Sequence, residues 1–193
     1  MLTLALSAAV AAAAPPGFTE TKTTDHCTLF LGPALSNGVV PMRAECRFPS
    51  ADLQKLLAAF SNYDDHDVPF ATVKASDVVR TEGDVAYVKQ VHAVKGVSDR
   101  EGVLKMTKTA IPGGARFAWT LDTAAGPPSD GRVAIGFDDG FWELTADPAG
   151  GVHAVHQLSY DPGGKVPGFL VRWFQTSGLA AIVGEMETWA DSL

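Results

Sequence analysis

From Val73 to Tyr160 the sequence alternates apolar and polar residues in short runs separated by turn signals. A period of two means strands, because successive side chains point to opposite faces. The expected strands are 73–82, 84–94, 101–111, 115–123, 132–138, 141–147 and 152–160. Turns are expected at Gly83-Asp84, Gly113-Gly114, Asp138-Asp139-Gly140 and Asp147-Pro148-Ala149-Gly150-Gly151. Most of these connections are too short for a crossover helix, so the strands form an antiparallel meander. Register follows from the turns. A two-residue turn at Gly113-Gly114 puts Leu104, Met106 and Ala110 on one face with Phe117, Trp119 and Leu121. A turn centred on Ala149 puts Trp142 and Leu144 with Ala154, His156 and Leu158. In each hairpin the large apolar residues collect on one face, as a sheet with one buried side requires. The faces of the first two strands stay open.

An apolar sheet face needs a cover. One amphipathic helix is expected after Ser50 as N-cap, with Asp52 in its first turn. Leu53, Leu56, Leu57 and Phe60 make its stripe, and it stops at Ser61-Asn62. A longer helix is expected from Pro167 to Leu193, with Val171, Gln175, Gly178, Ile182, Met186, Trp189 and Leu193 facing the sheet. Gly178 is a notch in that stripe, at a cost of about 1 kcal/mol relative to Ala. Ala180, Ala181 and Gly184 are small as well. Leu170, Trp173 and Phe174 form a second apolar patch, expected to pack under the loop 124–131 or to meet a membrane or partner. A curved sheet around one narrow helix leaves a space between them unless bulky side chains fill it.

Cys27 and Cys46 lie equally far from the Ser36–Asn37 peptide bond, in a stretch that reads as a hairpin. A loop centred there makes them face each other across two strands, close enough for a disulfide in an oxidising compartment; a turn centred on Asn37-Gly38 would need a bulge, and two free buried cysteines are the alternative. The start of the chain, MLTLALSAAVAAAAPPG, points the same way. An apolar run followed by alanines and Pro15-Pro16 reads as an export signal, residues 1–14, although no Lys or Arg precedes the run. The remaining length suits one domain, residues 20–193, exported to a periplasm or beyond. A net charge of −7 excludes a nucleic-acid partner.

Catalytic motifs are missing: there is no G-x-S-x-G, P-loop or G-x-G-x-x-G. The run Asp64-Asp65-His66-Asp67 lacks the spacing of a metal cage and reads as a solvated loop, so no metal or cofactor is expected. His156 is the one polar residue that the register sets on the apolar face, beside Trp142. Three roles fit it: a hydrogen bond to a ligand hydroxyl or carbonyl, a general base, or a core His satisfied by backbone or water.

Three stretches, in order and spacing, resemble the START lipid-transfer domains of the Bet v 1-like, helix-grip superfamily. They are VSDREGVLKM (97–106), GPPSDGRVAIGFDDGFWEL (126–144) and YDPGGKVPGFLVRWFQ (160–175), within a match over roughly 45–193. The resemblance implies an α+β fold in which a curved antiparallel sheet wraps around a long C-terminal helix. It also implies a tunnel between them holding one lipid, sterol or similar apolar molecule, in about 300–1,000 Å³. Placed on this sequence through the register above, the ligand-binding residues are Leu104, Met106, Phe117, Trp119, Trp142, Leu144, His156, Leu158, Gly178 and Ile182. Arg100 and His156 are candidate polar anchors, with Arg100 and Glu101 also readable as a structural pair. Leu170, Trp173 and Phe174 become the gate, and the small helix residues leave room for the ligand. The expected protein is a monomeric bacterial carrier with transient membrane contact. A polyketide cyclase- or hydratase-like enzyme on the same fold is the alternative, and a non-lipid interaction module the third reading.

Overall fold

The computed structural model describes residues 14–93, 96–168 and 173–193. The expected export signal up to residue 13, Leu170, Val171 and the side chain of Gln175 lie outside the described residues.

The chain opens with β1 (Thr19–Thr23), β2 (Cys27–Leu31) and β3 (Met42–Phe48), then α1 (Leu53–Phe60) and a 3-10 turn at Tyr63–Asp65. The meander follows as β4 (Val73–Glu82), β5 (Val85–His92), β6 (Arg100–Ile111) and β7 (Gly114–Leu121). It continues through β8 (Val133–Ala134), β9 (Phe137–Ala146) and β10 (Val152–Asp161). A π-type turn at Phe174–Gly178 leads into α2 (Leu179–Ser192). The strands make one sheet in the order β1-β2-β3-β10-β9-β7-β6-β5-β4, with β8 beside β6. The pairings are antiparallel apart from β6 with β8.

Register agrees closely with expectation. His156 stands opposite Trp142 and Ala154 opposite Leu144. Cys27 stands opposite Cys46, and the two are joined in a disulfide. The β6–β7 turn is Pro112-Gly113 rather than Gly113-Gly114, since Ile111 pairs with Gly114. That slides the pairing by a whole pleat, so the same side chains still share a face.

Other expectations need correction. Asp138-Asp139-Gly140 is no turn but part of β9, and the expected strand 132–138 is divided between the two residues of β8 and the start of β9. Gly140 serves close approach: a Cβ there would stand 2.6 Å from the Trp119 ring and 2.5 Å from the Gln157 carbonyl oxygen. The α1 N-cap is Asp52, not Ser50, because its carboxylate accepts the Gln54 and Lys55 amides at 2.9 and 3.1 Å. β1 was not anticipated. The run 64–67 is only partly a solvated loop: His66 is buried and donates from Nε2 to the Phe60 carbonyl at 2.9 Å, and Asp64 accepts the Val78 amide at 2.6 Å.

The terminal helix is turned from its expected phase. Its most buried residues are Leu179, Val183, Met186 and Ala190, which pack toward β3 and β2, while Ile182, Trp189 and Leu193 are half-buried. The π turn accounts for part of this, as the Leu179 amide reaches back to the Phe174 carbonyl and adds a residue to that turn. Ile182, on the other flank, borders a cavity.

The sheet also curls. In a flat sheet β5 and β10, four positions apart, would stand about 19 Å from each other. Here His92 of β5 and Tyr160 of β10 share a hydrogen bond of 3.1 Å. The interior enclosed by that curl is apolar at the α1 end, where Phe60 meets Phe117 at 4.9 Å between ring centroids and Trp142 and Trp189 at 6.3 Å.

Candidate functional site

Between the curled sheet and the terminal helix lies a cavity of ≈ 110 Å³. Of the residues expected around a ligand, Leu104, Met106, Trp119, Trp142, His156, Leu158 and Ile182 line it. Phe117 and Leu144 do not: both are fully buried in the packed core, Phe117 against Phe60 of α1. Gly178 does not line it either. A Cβ on Gly178 would meet the Phe174 ring at 3.1 Å and the Trp173 ring at 3.5 Å, so its notch holds those rings rather than a ligand. Ala181 and Gly184 are exposed. The cavity is smaller than expected because the inward faces carry Phe60, Phe70, Trp119, Trp142, Tyr160 and Phe174.

Its polar lining was mostly missed from sequence. His156 is 2 % exposed and stacks on Trp142 at 4.1 Å, with Trp119 at 5.9 Å. Its Nδ1 lies 3.1 Å from the Phe141 carbonyl oxygen, which only accepts, so Nδ1 carries the ring proton. Nε2 is then a bare lone pair, buried and without a hydrogen-bond partner among the described residues. Burial drives the His156 pKa down to about 4, against the opposing effect of the Phe141 bond, so the ring is neutral.

A second polar group spans the curl. Ser76 Oγ lies 2.6 Å from the Tyr63 carbonyl oxygen and must donate to it. It therefore accepts from Gln90 Nε2 at 3.1 Å, which turns the Gln90 oxygen toward His92. His92 Nε2 donates to that oxygen at 3.0 Å, leaving Nδ1 to accept the Tyr160 hydroxyl at 3.1 Å. The chain fixes every proton, and the Tyr160 oxygen keeps only acceptor capacity. Burial lowers the His92 pKa to about 4 and pushes the Tyr160 phenol far above its ordinary value. Asp138 completes the set, accepting the Trp119 indole N–H at 2.6 Å. Burial raises its pKa to about 7 despite that bond, with a further push from Asp139.

Arg100 is buried but absent from the cavity lining. Its guanidinium donates to the Ser98 carbonyl and, at 3.4 and 3.5 Å, to those of Pro162 and Gly163. It ties the loop before β6 to the loop after β10. Arg100 and Glu101 are not a pair: Glu101 binds Arg132 and both the amide and hydroxyl of Ser129. Burial works to raise the Glu101 pKa, but those bonds outweigh it and hold the carboxyl below its ordinary value. At the expected gate Phe174 rests against Tyr160 at 6.0 Å, while Trp173 is 44 % exposed. Tyr160 and Phe174 also border an outer hollow of ≈ 220 Å³ beside Asn37–Val40, Pro162 and Val166, so they divide two spaces. Among the described residues no group of three or more His, Cys, Asp or Glu is placed to hold a metal ion, and no helix is long and apolar enough to cross a membrane.

With this geometry in view, known structures are informative. The STAR-related lipid transfer protein from Xanthomonas axonopodis superposes with a TM-score of 0.78 at 19 % identity, over 90 % of this chain and 98 % of that one. The chain has the START fold. Human StAR-related lipid transfer protein 5 gives a TM-score of 0.77 at 14 % identity, over 93 % and 88 % of the two chains. The di-domain ARO/CYC BexL of the BE-7585A biosynthetic pathway is more distant, with a TM-score of 0.51 at 12 % identity over 79 % of this chain and 50 % of that one. No protein-family profile matches the sequence, and no curated protein matches it significantly.

Proposed function

We propose that this START-fold chain binds, and carries between membranes, a single hydrophobic molecule of lipid or sterol type in the cavity beneath α2. The observation that carries the reading is the cavity itself: an apolar space with a few polar groups in its lining, in a fold shared with lipid-transfer proteins. Leu104, Met106, Leu158, Ile182 and the Trp119–Trp142 pair supply apolar contact, and His156 sets orientation. A lipid exceeds ≈ 110 Å³, so loading moves Phe174 and the π turn and joins the inner cavity to the outer hollow. Trp173 and Phe174 make the transient membrane contact while the gate is open. The Cys27–Cys46 bond supports export, with residues 1–14 as the signal and 20–193 as a monomeric periplasmic or secreted domain. Native mass spectrometry of the protein from its own host, with extraction and identification of what it releases, tests this. One apolar molecule per chain is expected; a bare chain that takes up no offered lipid contradicts it.

A cyclase- or hydratase-like enzyme is the second reading. It is favoured by Asp138, whose pKa of about 7 at the cavity wall suits proton transfer, and by the shared fold of the ARO/CYC protein. Turnover of an offered polyketide, lost in Asp138→Asn, would establish it over the carrier.

A further inference from the structure

Resting on the carrier reading, we infer that the ligand's buried polar end is a hydroxyl group donating to His156 Nε2, and that apolar molecules headed by a ketone, ester or carboxylate are disfavoured there. The inference rests on where the protons must be. Phe141's carbonyl fixes the His156 proton on Nδ1. The other ring nitrogen is sealed from solvent and lacks a partner among the described residues, on a side chain that lines the cavity. A buried acceptor left without a donor is costly, so a ligand that brings the donor gains more than one that does not. A carbonyl brings a second acceptor and leaves both lone pairs facing each other. Of the two ligand groups first matched to His156, hydroxyl and carbonyl, only the hydroxyl fits this tautomer.

The surroundings reinforce that choice. The His156 ring is held between Trp142 and Trp119, so it does not turn over to present the other nitrogen without breaking the Phe141 bond and both stacks. Tyr160, on the same strand and also at the cavity wall, has its proton committed to His92 and adds a second acceptor. Asp138 accepts from Trp119, and above its pKa of about 7 it has no proton to offer. The deep wall is therefore matched to donors and flanked by aromatic rings, as an alcohol on an apolar body requires.

The test uses matched rings small enough for the cavity: cyclohexanol, cyclohexanone and methylcyclohexane, titrated at pH 8.5 into wild type and His156→Phe and followed by tryptophan fluorescence. Cyclohexanol should bind the wild type about tenfold more tightly than cyclohexanone, and the gap should close in the variant. Equal affinity for alcohol and ketone in the wild type overturns the inference while leaving the carrier reading intact. Failure of all three rings to bind overturns the inference, and the carrier reading is then decided by native mass spectrometry with offered lipid. If His156→Phe does not fold, the ¹⁵N shifts of the wild-type imidazole decide. An Nδ1–H tautomer whose Nε2 signal moves with cyclohexanol alone supports the hydroxyl site; an Nε2–H tautomer, or equal movement with the ketone, contradicts it.

Discussion

The two ends of the enclosed interior are chemically opposite. Toward α1 the space is filled mostly by carbon, with Phe48, Leu56, Phe60, Phe117, Leu144 and Val152 at most 1 % exposed and His66 satisfied by the Phe60 carbonyl. Toward the gate it is walled by Gln90, His92, Asp138, His156 and Tyr160. At the first end burial itself stabilises, at roughly 25 cal/mol per Å² of apolar surface. At the second, burial costs free energy unless each polar atom finds a partner, and it moves the pKa values of His92, Asp138, His156 and Tyr160 well away from their ordinary values. The contrast shows a division of labour in one curled sheet, with stability concentrated at one end and ligand discrimination at the other.

Substitutions can break that division, and the largest effect belongs to the apolar end. Phe117→Ala should lower unfolding free energy by about 3–5 kcal/mol in urea while altering cyclohexanol affinity little. A comparable loss of affinity would mean the two ends are not separable. Removing the bridge with Cys27→Ser and Cys46→Ser together should cost about 3 kcal/mol, read the same way, again with the cavity's preference unchanged.

Asp138→Asn probes the polar end through pH. The Asp138 pKa is raised from 3.8 to about 7 on folding. Between those values the unfolded chain has released the proton and the folded one has not, so stability falls as pH rises through that window and levels off above it. Asn still accepts the Trp119 N–H but never ionises. The variant should therefore gain on the order of 3 kcal/mol relative to wild type between pH 5 and pH 8.5. A wild type that is the more stable of the two at pH 8.5 would mean Asp138 ionises at no cost. The smallest effect is expected at Gly178→Ala, within about 1 kcal/mol of wild type by thermal denaturation. Better helix propensity is set there against a Phe174 ring 3.1 Å from the new methyl.

Local patterns carried much of the fold. The period of two, the turn residues and the placement of Cys27 and Cys46 around their hairpin made the sheet, its β9–β10 register and the disulfide legible. Elsewhere a distant partner decided the outcome. Asp138-Asp139-Gly140 has the composition of a turn, yet Trp119 both contacts Gly140 and donates to Asp138, which keeps the segment extended. The Tyr160–His92–Gln90–Ser76 chain was invisible because only the curl of the sheet brings β5 to β10. The phase of the terminal helix was misjudged because apolar periodicity does not distinguish a side chain facing a sheet from one facing a cavity. His156 was legible as the polar residue on an apolar face; its proton position required the Phe141 carbonyl.

The central claim, that one end is packed core and the other a binding cavity, is tested most directly by methyl NMR during a cyclohexanol titration. Saturable shifts are predicted at Leu104, Met106, Leu158 and Ile182, with Leu29, Leu56 and Leu144 unmoved. Shifts spread evenly over both sets, or none at the cavity methyls at saturating alcohol, would contradict the account.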